Sequence, residues 1–271
     1  MSKHILITGS TDGIGKIAAA KLAAAGHHVY VHGRNANKIE DAVSEIKNNS
    51  NNENVIGYLA DFSNLSEVRQ LGEMLIRELP QLDVLINNAG VFKSNVQQDS
   101  NGFDIRFTVN YLAPFVLTNF LLPKLQATAK SRVINVSSAA QAVVSIPALS
   151  GQSSLNAQEA YAQSKLALTM WNTHMAKQYP EINSIAVNPG SLLKTKMVME
   201  AYGKFWSSAD KGGNILFDLA VSEEYADKNG QYFDNDKGDP KGMFGEPHPD
   251  ANDEEKTKIL LAATDEILNN H

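Results

Sequence analysis

The chain of 271 residues carries 24 Lys and Arg against 30 Asp and Glu, a net charge of −6, with 43% hydrophobic and 20% charged residues. It is too apolar for a disordered chain and too acidic for a protein that binds nucleic acid through a dominant basic face. The absence of cysteine excludes disulfides, thiolate catalysis and cysteine-ligated zinc.

Met1-Ser2-Lys3-His4 passes straight into an apolar run, with neither the length nor the cleavage site of a secretory leader. No stretch approaches about 18 consecutive apolar residues, so no membrane span and a cytoplasmic location are expected. Strands are predicted at Ile5-Leu6-Ile7, Val29-Tyr30-Val31, residues 55–59, Val84-Leu85-Ile86, residues 133–136 and Ile185-Ala186-Val187. These are continuous apolar runs, as a parallel sheet covered on both faces requires. Between them, helical periodicity covers about 14–25, 37–48, 64–79, 104–127 and 159–178, with Gly26, Pro80 and Pro180 at helix ends. Residues 48–54, rich in Asn, read as a turn. Strict alternation predicts one α/β domain over 1–271, a doubly wound parallel sheet of Rossmann type with helices on both faces.

The first strand ends in Thr8-Gly9-Ser10-Thr11-Asp12-Gly13-Ile14-Gly15 and opens an Ala-rich helix. Such a turn points backbone N–H groups at the positive end of a helix dipole, and its glycines let a pyrophosphate approach. By position, this turn binds a dinucleotide.

The spacing G-x-x-x-G-x-G after Thr8 resembles the short-chain dehydrogenase/reductase family, and the resemblance continues in order along residues 3 to 235. It implies cofactor contacts from Gly9 through Gly15, from Asp61 and Phe62 after the third strand, and from Asn88, Ala89 and Gly90 of Asn87-Asn88-Ala89-Gly90. Asn110, Ser138, Tyr161, Lys165 and Asn188-Pro189-Gly190 follow. The long gap from Ser138 to Tyr161 and the sequence of Thr8 to Lys16 look most like the retinol-dehydrogenase-like branch.

Gly33-Arg34-Asn35 follows the second strand, with no carboxylate until Glu40. An acid there would repel a 2′-phosphate, whereas Arg34 can fork donors onto one and Lys38 lies a turn further on. NADP is expected ahead of NAD. Tyr161 and Lys165, four apart on a helix, share a face. A free tyrosine, with a pKa of about 10, needs a neighbouring cation to serve as a base near neutrality. The resemblance gives Tyr161 the acid/base role, Lys165 the nicotinamide ribose as well, and Ser138 the substrate oxygen, with Ser137 the weaker choice; Asn110 would hold a water of a proton relay.

Pro189-Gly190-Ser191-Leu192-Leu193-Lys194-Thr195 departs from the family's turn, its threonine lying one residue later than usual. Pro189, Gly190, Leu192 and Thr195 are the expected nicotinamide contacts. Residues 191–213, with Met197, Met199, Tyr202, Phe205 and Trp206, read as a substrate lid, or else as a helix pair packed on the core. Val143, Val144, Ile146 and Leu149 would form the opposite wall of an apolar site. The seven histidines, His271 included, show no zinc spacing, and the tail from Asp234 to Asp253 reads as a loop without calcium-loop spacing, followed by a surface helix from Glu254 to Leu268.

These readings converge on an oxidoreductase moving hydride between a nicotinamide and a small apolar alcohol or carbonyl. The alternatives are an imine or activated C=C reductase, and a dinucleotide-binding sensor without turnover. Family habit implies a homodimer or homotetramer built on helices near 112–127 and 161–178, with Phe120 and Trp171 facing outward.

Overall fold

The computed structural model describes residues 2–238 and 241–270; Met1, Asp239, Pro240 and His271, which enter the N-terminal, tail and histidine readings, lie outside the described residues. The chain alternates β1 (His4–Ile7), α1 (Gly13–Ala24), β2 (His28–Gly33), α2 (Ala36–Ser50), β3 (Val55–Leu59), α3 (Leu65–Glu78) and β4 (Val84–Asn87). It continues through α4 (Ile105–Phe107), a π turn (Thr108–Leu112) and α5 (Ala113–Ala127) to β5 (Arg132–Val136), α6 (Ile146–Leu149), α7 (Ala157–Gln178) and β6 (Asn183–Asn188). Then come α8 (Lys196–Tyr202), α9 (Ala209–Val221), β7 (Tyr232–Asp234), β8 (Met243–Gly245) and α10 (Glu254–Asn270).

The strands lie in the order β3-β2-β1-β4-β5-β6-β7-β8. All neighbours are parallel except β7 and β8. The order reverses between β1 and β4, the switch point beyond whose carboxyl strand ends open α/β sheets bind ligands in a crevice. Successive residues of β1 serve opposite faces. Ile5 and Ile7 join the core under α1, α2 and α9, while Leu6 joins that under α3, α5, α7 and α10. Asp12, Asn35, Asn64 and Asn156 start α1, α2, α3 and α7 by accepting first-turn amides.

Four expectations are corrected. First, α2 runs through Ser50, so residues 48–50 finish a helix, and the turn begins at Asn51, whose φ of 53° is left-handed. Second, the tail is not all loop: β8 pairs with β7 and closes the sheet edge, and a short 3-10 turn spans Pro249–Asn252. Third, α10 is only half a surface helix. It buries Leu260, Ala263, Thr264 and Ile267, joins Tyr111 through Thr264 (2.8 Å) and accepts from Arg69 at the Leu268 carbonyl (3.0 Å).

Fourth, Phe120 and Trp171 do not face outward. Phe120 packs on α3 so closely that a Cβ at Gly72 would come within 2.7 Å of it, and Trp171 is buried against Phe115 at 5.4 Å. Among the described residues one helix, Ile105–Ala127, is long and apolar enough to cross a bilayer, and most of it is buried in the core.

Candidate active site

The glycine turn is held from behind by His32 of β2. The Gly9 amide donates to His32 Nδ1 (3.1 Å), so the ring proton sits on Nε2 and is donated to the Ala60 carbonyl (3.1 Å). Burial drives His32 down to about 4, and the imidazole is neutral at physiological pH. Ser10 completes the brace: its amide donates to the His32 carbonyl, and its hydroxyl donates to the Ile7 carbonyl.

Two glycines are sterically required. Gly9 has φ +63° and a Cβ there would lie 2.7 Å from Ala89 Cα; a Cβ at Gly15 would lie 2.4 Å from Asn88 Nδ2. Asn88 itself ties the end of β4 to the glycine turn, its side-chain nitrogen donating to the carbonyls of Thr8 (2.8 Å) and Gly9 (2.9 Å). The Thr8 hydroxyl accepts the backbone amides of Asn88 and Ala89. Asp12 caps α1 through the Gly13 amide (2.7 Å), whereas the first-turn amides of Ile14 and Gly15 have no intrahelical acceptor and are open to an anion. Thr11 lies against Gly33 at the end of β2.

At the adenosine end, Arg34 is exposed and has no ion pair or hydrogen bond among the described residues. Asp61 accepts the Ser63 amide (2.9 Å). The Phe62 ring is buried on His32 at 4.3 Å, so only its backbone is free to meet a ligand.

At the opposite end of the crevice, α7 brings Tyr161 and Lys165 together, with Lys165 Nζ 5.6 Å from the Tyr161 ring centre. Lys165 is 4% exposed and donates to the Val136 carbonyl (2.7 Å). Burial without a carboxylate partner lowers its pKa to about 7. Burial also pushes the Tyr161 phenol up to about 12, against an easing interaction from Ser138. Ser138, at the end of β5, is half-buried and faces the phenol; its carbonyl is pinned by Tyr232 of β7 (3.0 Å). Ser137 points the other way, into Thr169 (2.7 Å) and the Lys165 carbonyl (3.0 Å), and is structural.

Asn110 sits in the π turn, fully buried. Both ends of its side chain are committed to protein: Oδ1 accepts the Val91 amide (2.7 Å), and Nδ2 donates to the Val91 carbonyl and Ser164 Oγ (both 3.0 Å). Any water it held would have to bind its main-chain carbonyl. That carbonyl lacks the usual α-helical donor, because the residue four further on is Pro114. Gly90 lies between these groups, a Cβ there falling 3.4 Å from Asn110 Oδ1 and 3.5 Å from Lys165 Nζ.

The longer turn after β6 brings Thr195 back to the glycine turn, its methyl 3.7 Å from a Cβ position at Gly13. Leu192 absorbs the extra residue with φ +45°, and Gly190 takes φ +120°. Pro189 is held through its carbonyl by Asn235 Nδ2 (2.9 Å). Beyond Thr195, α8 buries none of its residues, and Met199, Tyr202, Phe205 and Trp206 are exposed, Trp206 to 67%.

Tyr202 reaches Phe92 (5.6 Å between rings), which in turn meets Tyr161 edge-on (4.9 Å). Residues 209–213, the end of the expected lid, belong instead to α9, whose Gly212 and Gly213 lie against Ile14 and Ile17 of α1. On the other wall Val143 is exposed and Val144 and Ile146 are partly buried, but Leu149 is core. Phe92 and Arg106 were not singled out by sequence. Arg106, buried beside Asp104 (2.9 Å), donates to the Phe92 carbonyl (3.0 Å) and fixes that ring over Tyr161. The only sequence signal was an arginine in an apolar helix.

A glycine-braced anion cradle and a Ser-Tyr-Lys cluster sharing one crevice define a dinucleotide-dependent oxidoreductase site. The chain belongs to the short-chain dehydrogenase family, whose sequence model, short chain dehydrogenase, matches residues 3–204. Retinol dehydrogenase 13 of Homo sapiens is 32% identical, over 98% of this chain and 84% of that protein. Retinol dehydrogenase 12 of Mus musculus is 33% identical, over 87% and 78%. A solved short chain dehydrogenase from Escherichia coli CFT073, complexed with NADPH, has a TM-score of 0.71 at 25% identity, covering 86% of this chain and 95% of that one. The chain is therefore an oxidoreductase of this family, in its retinol-dehydrogenase-like branch.

Proposed function

We propose that this protein uses NADP to transfer hydride between the nicotinamide and an apolar alcohol or carbonyl. The observation that carries the reading is the convergence of Ser138, Tyr161 and Lys165 at the far end of a crevice that begins at free helix amides. The residues fit the cofactor: the turn from Gly9 to Gly15 would hold its pyrophosphate, Asp61 and the Asn88–Gly90 segment would flank its adenosine, and Lys165 has ammonium donors to spare for the nicotinamide ribose. The preference for NADP is supported by Arg34, an unpaired guanidinium where an acid would select NAD, and by NADPH in the related Escherichia coli structure.

The bound nicotinamide supplies or accepts the hydride. Ser138 donates to the substrate oxygen, and Tyr161 passes its proton to that oxygen in reduction or takes it back in oxidation. In the free protein the pair is poorly poised for this exchange, with the phenol near 12 and the ammonium near 7. New acceptors for the Lys165 ammonium would favour its charged form and thereby ease the phenol's ionisation. The apolar substrate is supported by Phe92 against Tyr161, by Tyr202 on Phe92, by the exposed Met199 and Trp206 of the same segment, and by the names of relatives such as retinol dehydrogenase 13 and polyprenol dehydrogenase of Homo sapiens.

A panel of alcohols and carbonyls, followed by nicotinamide absorbance, tests the activity. Tyr161→Phe should lower turnover at least about 100-fold while NADPH binding survives. Near-full turnover by that variant would remove the carbonyl mechanism.

A further inference from the structure

The turn after β6 is not self-supporting. Asn188, the last residue of β6, accepts the Gly190 amide (3.2 Å) and donates to Asp234 (2.8 Å) and Asp236 (2.9 Å). Asp236, just past β7, also accepts the Ser191 amide at Oδ1 (2.9 Å) and the Ser191 hydroxyl at Oδ2 (2.5 Å). Lys211 of α9 lies 3.9 Å from the same carboxylate, and Lys237 pairs with the neighbouring Asp234 at 3.3 Å. One carboxylate thus gathers three donors from the residues that enter and leave the turn.

The next residue, Leu192, is a branched side chain in the left-handed region, a conformation that persists only where surrounding contacts over-determine it. On its far side the Leu192 carbonyl accepts the Trp206 amide (3.1 Å). The strained residue is therefore clamped between Asp236 and the segment that follows α8. The sheet register sets the end of β6 beside that of β5, Val187 opposite Val136, so the clamped turn adjoins Ser138.

We propose that Asp236 is a positioning residue for the nicotinamide half of the cofactor: it holds the Asn188–Ser191 turn, and through it Leu192 and Thr195, in the shape that half requires. The inference rests on the dinucleotide reading above. Its carboxylate is ionised at neutral pH: burial opposes the charge, but the bonds from Ser191 and Asn188 and the nearby Lys211 hold its pKa below the usual range.

Calorimetric titration with two probes separates this role from simple stabilisation. NADPH spans the whole crevice, whereas adenosine 2′,5′-bisphosphate ends before the nicotinamide. Asp236→Asn, nearly the same shape but unable to accept all three donors, should weaken NADPH about ten- to a hundred-fold and leave adenosine 2′,5′-bisphosphate within about twofold. Ser191→Ala, which keeps the amide bond to Asp236, should show a smaller loss of the same kind, and Asp236→Glu should restore part of the NADPH affinity. Equal losses for both probes, or none in either Asp236→Asn or Ser191→Ala, would overturn the positioning role and leave the dinucleotide reading standing. A parent protein that binds neither probe would remove the dinucleotide reading itself.

Discussion

Lys165 offers a thermodynamic measurement that needs no substrate. In the cofactor-free protein its pKa falls from 10.5 to about 7 because the ammonium is buried without a carboxylate. Between those values the folded protein has released a proton that the unfolded chain still holds, so stability rises with pH, by up to about 1.4 kcal/mol per pH unit. From about pH 7.5 to 9 the rise is about 2 kcal/mol, or about 4–8 °C in melting temperature. Tyr161, raised to about 12, works in the opposite sense, losing stability as pH climbs from about 10, above this window. His4, His27 and His32 are all lowered by burial and titrate below it. Lys165→Met removes the titrating group while keeping most of the chain length. Scanning calorimetry of both proteins across that range should show the parent's melting temperature rising more steeply. Parallel curves would mean that the ammonium is not desolvated and that the poise assigned to the Tyr161–Lys165 pair is wrong.

Arg34→Ala should weaken NADPH binding about ten- to a hundred-fold and leave NADH nearly unchanged, since only the 2′-phosphate loses a charge-assisted partner; equal losses for both cofactors in titration would take Arg34 out of the phosphate site. The α8 segment, with no buried residue and its tether through Tyr202 and Phe92, should exchange its amides quickly in the free protein and slowly with cofactor and a turned-over substrate. Slow exchange in both states would make it a fixed part of the wall.

Most of the sheet was legible because six strands are built on short apolar runs rich in Ile, Val and Leu, and α2 and α3 between them carry one clear apolar face. β7 and β8 were not. Tyr232–Asp234 and Met243–Gly245 are three residues each, set among Gly, Asp and Lys, and what makes them strands is a partner rather than a pattern. The site motifs could be read in order, but not the use of their atoms. Nothing local shows that the Asn110 amide is spent on Val91 and Ser164, or that the Phe62 ring turns inward onto His32. Trp171 looks like an outward residue on its own helix and is covered because Phe115 of α5 lies over it. Asp236 gave no signal at all, because one carboxylate in an acidic tail acquires meaning only when Ser191 and Asn188 are brought to it.

The placement of α10 bears on how the chain is made. It follows every other element in sequence, yet its Leu260, Ala263 and Ile267 complete a core begun by α3, α5 and α7. During synthesis, at about 5–20 residues per second, that layer stays unsealed for on the order of ten seconds after α7 emerges. Over that interval Tyr111 has no Thr264 to bond, and an apolar surface stands open to other nascent chains. A nascent chain that exposes such a surface is the aggregation-prone kind of species that chaperones shield.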